Sequence, residues 1–158
     1  MTAPPAAARR PPAFAVLPFA LVALLAGLWG GLARLGYQLP ADSTSSADHG
    51  VLMSLGFLGT LIATERATAL RRAWSWSVPA ASVIGSVWVV VGQAPRVGQA
   101  LLVVAGAGLV IVYVALDRIQ RSAHNTLMGV GAAGWVVAAA LWFGGRDVST
   151  IVPWLAVF

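Results

Sequence analysis

Long runs of apolar residues, separated by short polar segments, follow one another along the chain. They cover residues 13–35, 49–70, 74–92, 99–117 and 124–143, with a shorter run at 151–158. Five of these runs approach the ~20 residues that an α-helix needs to cross the hydrocarbon core of a bilayer, whereas the last is too short. The pattern predicts an all-α fold, a polytopic transmembrane bundle of five spanning helices and a partial sixth.

Polar and helix-breaking residues separate these predicted helices. The Pro- and Ala-rich residues 1–12 predict a disordered N-terminal tail before a transmembrane domain at 13–158. Pro79 lies early in the third run and predicts a kink or a late helix start there. Because the last run cannot span, we expect either that the chain is truncated or that its end lies in the membrane interface. Its expected partners are then the lipid bilayer and a missing C-terminal half or other membrane subunits.

Composition and charge support a membrane protein. Hydrophobic residues make up 59% of the chain and charged residues only 9%, too few to cover a soluble surface. All ten basic residues are arginines that cluster between apolar runs without interleaved aromatics, so no nucleic-acid partner is expected. With a cytoplasmic N-terminus, seven arginines lie inside and three outside. This asymmetry predicts a multi-pass protein of the cell membrane in that orientation.

One short pattern containing histidine and methionine occurs twice. His49 opens HGVLMSLGFLG and His124 opens HNTLMGVGAAG, which places Met53 and Met128 four residues after the two histidines. Three predicted crossings separate the copies, so the histidines should lie at opposite membrane faces, roughly 25 to 30 Å apart. They cannot then share one metal ion. An odd number of crossings is also typical of an inverted repeat, here of three helices plus three.

The residue types in this pattern can hold a metal. Imidazole and thioether one helical turn apart, as at His49 and Met53, suit Cu(I), and a lone imidazole suits haem iron. His124 and Met128 form a second candidate site of the same type. The alternative interpretation is a histidine at the membrane interface beside a methionine that only packs. Since the chain contains no cysteine, thiolate ligands and covalent haem attachment are excluded.

Glu65 is the candidate residue for a polar pathway. It falls near the predicted inner face, where Asp117, Arg118 and Arg121 also lie. A buried Glu65 would need an arginine partner, or would be protonated and able to pass on a proton. The alternative is an ordinary solvated ion pair at a helix end. The chain has no nucleophile elbow, phosphate-binding loop or HExxH zinc helix, so the sequence favours a non-enzymatic protein.

The stretch HGVLMSLGFLGTLIATERATAL, residues 49–70, resembles the second-helix motif of bacterial polytopic membrane proteins related to the NnrS family. Its opening His-Gly-x-x-Met is also similar to a haem-ligating helix of haem-copper oxidase main subunits. The resemblance implies a haem- or copper-containing protein with His49 as the ligand, of which this chain is the N-terminal portion. The oxidases' copper-site histidines have no counterpart here.

The sequence leaves three functions open. The first is a haem- or copper-associated membrane protein with His49 as ligand. The second is a small-solute or ion transporter in which Glu65 and the two histidines line a polar pathway. The third is a non-catalytic membrane assembly subunit, in which the polar residues are merely interfacial.

Overall fold

The computed structural model describes residues 13–40, 48–92 and 95–158. The tail predicted at 1–12 lies outside these residues, as does part of the loop predicted before His49. All secondary structure in the described residues is helical, which confirms the all-α prediction. The helices are α1 (Ala13–Arg34), α2 (residues 48–70), α3 (Ser77–Val91, preceded by a 3₁₀ turn at Ala73–Trp76), α4 (Pro95–Ile119), α5 (Ala123–Phe143) and α6 (Val148–Val157).

Several helix starts differ from the sequence prediction. Helix α4 begins at Pro95 rather than near residue 99, because proline is favoured in the first helical turn, where its missing N–H costs no hydrogen bond. Helix α6 begins at Val148 rather than at 151. Near Pro79 the α-helix begins later than the apolar run, because the 3₁₀ turn Ala73–Trp76 precedes it. The structure therefore has the predicted late helix start.

Four helices in the described residues are long and apolar enough to cross a membrane, namely α1, α3 with its 3₁₀ turn, α4 and α5. The sequence predicted five. The difference lies in α2, which is divided into a π-helical segment, Leu52–Leu58, and an α-helical segment, Gly59–Leu70. Helix α6, with 10 residues, is too short to span. The chain is thus an integral membrane helix bundle, and its described residues contain four uninterrupted spans where the sequence predicted five.

Trp135 of α5 lies at the centre of the bundle and is fully buried. Glycines let two neighbouring helices approach its ring. A Cβ added at Gly59 of α2 would lie 2.7 Å from the ring, and one at Gly106 of α4 would lie 3.0 Å from it. Close approach through small residues is the common way in which membrane helices pack. Helix α1 is peripheral, packing against α2 and α3.

The helices alternate in direction, so the bundle has two distinct ends. The end of α1, the start of α2 and the end of α5 meet at one end, which we call the His49 end. The end of α2 lies beside the last turns of α4 at the opposite end, which we call the Arg66 end. Among the described residues, the His49 end carries Arg34, Arg96 and Arg146, and the Arg66 end carries Arg66, Arg71, Arg72, Arg118 and Arg121.

Candidate functional site

The π-helical segment of α2 begins three residues after His49 and contains Met53. Its wider hydrogen bonding is visible at its end, where the N–H of Gly59 donates to the carbonyl of Ser54, five residues back. π-Helical turns are rare and are found often at functional sites. The segment therefore marks the His49–Met53 region as unusual within the bundle, on grounds independent of residue type.

Hydroxyl groups from α2 and α3 stabilise this wider helix. Thr60 donates to the carbonyl of Gly56 at 2.6 Å. The single proton of the Ser82 hydroxyl, on α3, is then shared between the Thr60 hydroxyl and the carbonyl of Leu55, which is 3.3 Å away. The Thr60 and Ser82 hydroxyls are themselves 2.8 Å apart, and both side chains are fully buried. Carbonyls displaced by a π turn need such partners in a membrane, where water cannot satisfy them. Ser82 takes this role only in the folded chain, because Thr60 and Leu55 lie 22 and 27 residues before it.

The side chains of α2 from His49 to Thr60 contact first one neighbouring helix and then another. Met53 and His49 lie against α1, since a Cβ at Gly27 would lie 2.6 Å from Met53 Cγ and one at Gly31 would lie 3.5 Å from His49 Cδ2. Thr60, farther along, contacts α3 instead. The structure therefore brings the two candidate ligands together on the face of α2 that meets the glycines of α1.

Two cavities meet at His49. The smaller, about 400 Å³, lies between α1 and α2 and is lined by both candidate ligands and by apolar side chains of α1. The larger, about 710 Å³, lies between the start of α2, the end of α5 and the start of α6. Arg34 and His49 line both of them. His49 thus stands between a membrane-facing cavity and a more polar one at the His49 end.

The larger cavity is lined by charged side chains that are far apart in the sequence. Arg34 and Arg146 line it together with Asp48 and Asp147, while Trp142, Val148, Val152 and Leu155 supply an apolar wall. Asp48 precedes the predicted spanning part of α2, and burial raises the pKa of its carboxyl above the ordinary value. Sequence reasoning missed this cavity, because only the fold brings Arg34 and Arg146 to the same place.

His124 and Met128 lie far from this region. His124 is exposed in the first turn of α5, and Met128 is partly buried against the core. Trp142, which lines the cavity next to His49, is near the other end of the same helix, about 27 Å away at 1.5 Å per residue. The structure does not bring the two histidines together. Within the described residues no group of three or more His, Cys, Asp or Glu side chains could hold a metal ion.

Glu65 lies on the exposed side of α2 and forms an ion pair with Arg66. The glutamate side chain is 65% exposed, whereas that of Arg66 is 17% exposed and lies over the ring of Tyr113 at 5.9 Å. Arg66 is therefore the more enclosed member of the pair.

Comparison of the chain with curated proteins and with solved structures gives no significant match. A family match does cover nearly all of the chain, including every helix and both cavities described above. Residues 13–158 match the family described as a domain of unknown function, DUF8744, and the chain belongs to that family.

Proposed function

We propose that the protein is a haem-associated integral membrane protein, with His49 as the iron ligand and the 710 Å³ cavity as the haem site. The observation that carries the proposal is the grouping of His49, Arg34 and Arg146 in one cavity with an apolar wall. Cofactor sites are typically 300 to 1,000 Å³ in volume, mostly apolar, with a few convergent polar groups. The cavity has this size and this composition.

The residues present suit the chemical groups of haem. A single imidazole is a common axial ligand of haem iron. Arginine guanidinium groups bind carboxylates in a bidentate manner, and haem carries two carboxylates. Trp142 and Leu155 would contact the apolar macrocycle. When bound, haem would supply electron transfer or the binding of a diatomic gas. This proposal agrees with the resemblance of residues 49–70 to NnrS-related proteins.

Copper(I) binding is the second candidate, and a different observation favours it. His49 and Met53 contact the same helix, at Gly27 and Gly31, and line the same 400 Å³ cavity. A nitrogen and a thioether ligand suit Cu(I), which accepts soft ligands and low coordination numbers. The two candidates differ in their need for Met53, so one set of variants separates them.

The test is the absorption spectrum and metal content of the full chain purified in detergent. We expect a Soret band that is lost in His49→Ala, weakened in the double variant Arg34→Gln/Arg146→Gln and retained in Met53→Leu. Copper that is lost in both His49→Ala and Met53→Leu would favour the second candidate. His124→Ala is the matched control, and its haem content should equal that of the wild type. A folded protein that takes up neither haem nor copper would contradict both candidates.

We also propose that the N-terminus is cytoplasmic, which places the His49 end outside. The support is the excess of arginines at the Arg66 end. Because the chain contains no cysteine, single cysteines can report the orientation. Cysteine replacing Ser149 at the His49 end should react with a membrane-impermeant maleimide added to intact cells, and cysteine replacing Gln120 should not. The reverse labelling pattern would overturn this orientation.

A further inference from the structure

A groove of about 410 Å³ runs between α4 and α5 at the Arg66 end. It is lined from α4 by residues at positions 110, 113, 114, 117 and 118, and from α5 by residues at positions 125, 126, 129, 130 and 133. Its inner part is apolar, with Val110, Val114, Val130 and Ala133. From Asn125 to Ala133 it extends about 12 Å along α5. The groove is therefore apolar towards the membrane interior and polar at the membrane surface.

The polar end of the groove presents one free positive charge. Arg118 is exposed and forms no ion pair with any residue in the described part of the chain. The neighbouring Asp117 does not pair with it within the described residues, and Asp117 Oδ1 instead accepts a hydrogen bond at 3.4 Å from the N–H of Ser122. Asn125 and Thr126, at the start of α5, add an amide and a hydroxyl at the same level.

We propose that this groove binds an anionic phospholipid. One acyl chain would occupy the apolar part beside Val114 and Val130, and the phosphate would lie at Arg118. Charge complementarity favours an anionic lipid over a zwitterionic one, because five arginines and only Glu65 and Asp117 lie among the described charges of this end. Basic pockets between membrane helices at the polar interface bind anionic head groups in this way. The proposal is independent of the haem site, which lies at the other end of the bundle.

The experiment is native mass spectrometry of the detergent-purified full chain, titrated with phosphatidylglycerol, phosphatidylcholine or inorganic phosphate. We expect phosphatidylglycerol to bind in preference to phosphatidylcholine. Arg118→Gln should weaken phosphatidylglycerol binding about fivefold, the value of one arginine near a charged surface. Arg96→Gln, at the His49 end, is the matched control and should bind like the wild type. Val130→Trp, a change at an exposed position, should fill the groove and lower binding of both lipids.

Three results would overturn the proposal. Equal binding of the two phospholipids would show that charge does not select the ligand. If Arg118→Gln and Arg96→Gln weakened phosphatidylglycerol binding equally, the lipid would be attracted by the overall charge of the protein and not by the groove. If inorganic phosphate bound the protein as tightly as phosphatidylglycerol does, the groove would be a site for a free anion and not for a lipid.

Discussion

The hydroxyl oxygens of Thr60 and Ser82 lie 2.8 Å apart and form a hydrogen bond between α2 and α3 in the fully buried interior of the bundle. Each hydroxyl also lies within hydrogen-bonding distance of a carbonyl of the π-helical segment, at Gly56 and Leu55. One pair of side chains thus connects the packing of two helices with the unusual backbone that follows His49. The contact joins residues 22 apart in the sequence.

We predict that the Thr60–Ser82 pair is energetically coupled. Thr60→Val and Ser82→Ala should each lower the free energy of unfolding, and the double variant should lose less than the sum. Hydrogen bonds between membrane helices are worth about 0.6 kcal/mol on average and up to about 1.7 kcal/mol, which sets the expected coupling. A double-mutant cycle by denaturant unfolding in detergent measures it. Thr68→Val is the control, because Thr68 bonds only within its own helix and should show no coupling to Ser82.

Gly59→Ala should destabilise the bundle because its new methyl group would meet the rigid ring of Trp135. The Cβ would lie 2.7 Å from two ring atoms, closer than real contacts allow. Overpacking of this kind costs about 1 to 3 kcal/mol. Trp135→Phe removes the ring atoms concerned, so Gly59→Ala should cost less in that background. Additive effects of the two changes would contradict the contact. Thermal unfolding of the four proteins is the measurement.

Gly27→Ala should disturb the His49–Met53 region, whereas Gly31→Ala should not. A Cβ at Gly27 would lie 2.6 Å from Met53 Cγ and 3.3 Å from the Met53 backbone nitrogen, while one at Gly31 makes only a 3.5 Å contact with His49. We expect a loss of about 1 to 3 kcal/mol for the first change. The second should be neutral or gain about 0.5 to 1 kcal/mol from lower backbone entropy. Similar unfolding temperatures for both variants would argue against this packing.

Asp48→Asn should stabilise the protein at neutral pH. Because burial raises the pKa of Asp48 in the folded state, its ionisation opposes folding. That penalty is absent below the unfolded pKa of about 3.9 and is complete above the folded value. Asparagine can also cap a helix, so the change isolates the charge. The unfolding temperature of Asp48→Asn should exceed that of the wild type at pH 7, and the difference should shrink towards pH 4. A difference that grows towards acid pH would refute the burial of this carboxyl.

Much of the site followed from residue type, but its arrangement did not. His49 and Met53 were predicted to share a helix face, and they do face the same glycines of α1. Their separation from His124 also agrees with the predicted opposite ends. Arg34 and Arg146 gave no signal, because each looks like an ordinary arginine at a helix end. Glu65 was predicted as a polar-pathway residue from its position near the inner face, yet its partner Arg66 is the more enclosed of the two.

The sequence by itself determined the class and the main elements of this protein. Length, low charge and continuous apolar runs are local properties, and in a bilayer they leave only helices as spanning structures. The tertiary structure decided how the two copies of the histidine pattern fold. Residues 124–134 form regular α-helix, whereas residues 52–58 of the first copy form a π-helix. The physical reason is that a π turn displaces carbonyls from the helix ladder. In the part of the chain that the structure describes, a hydroxyl of a neighbouring helix, that of Ser82, lies within hydrogen-bonding distance of a carbonyl of the first copy, at Leu55, and no such bond reaches the second copy.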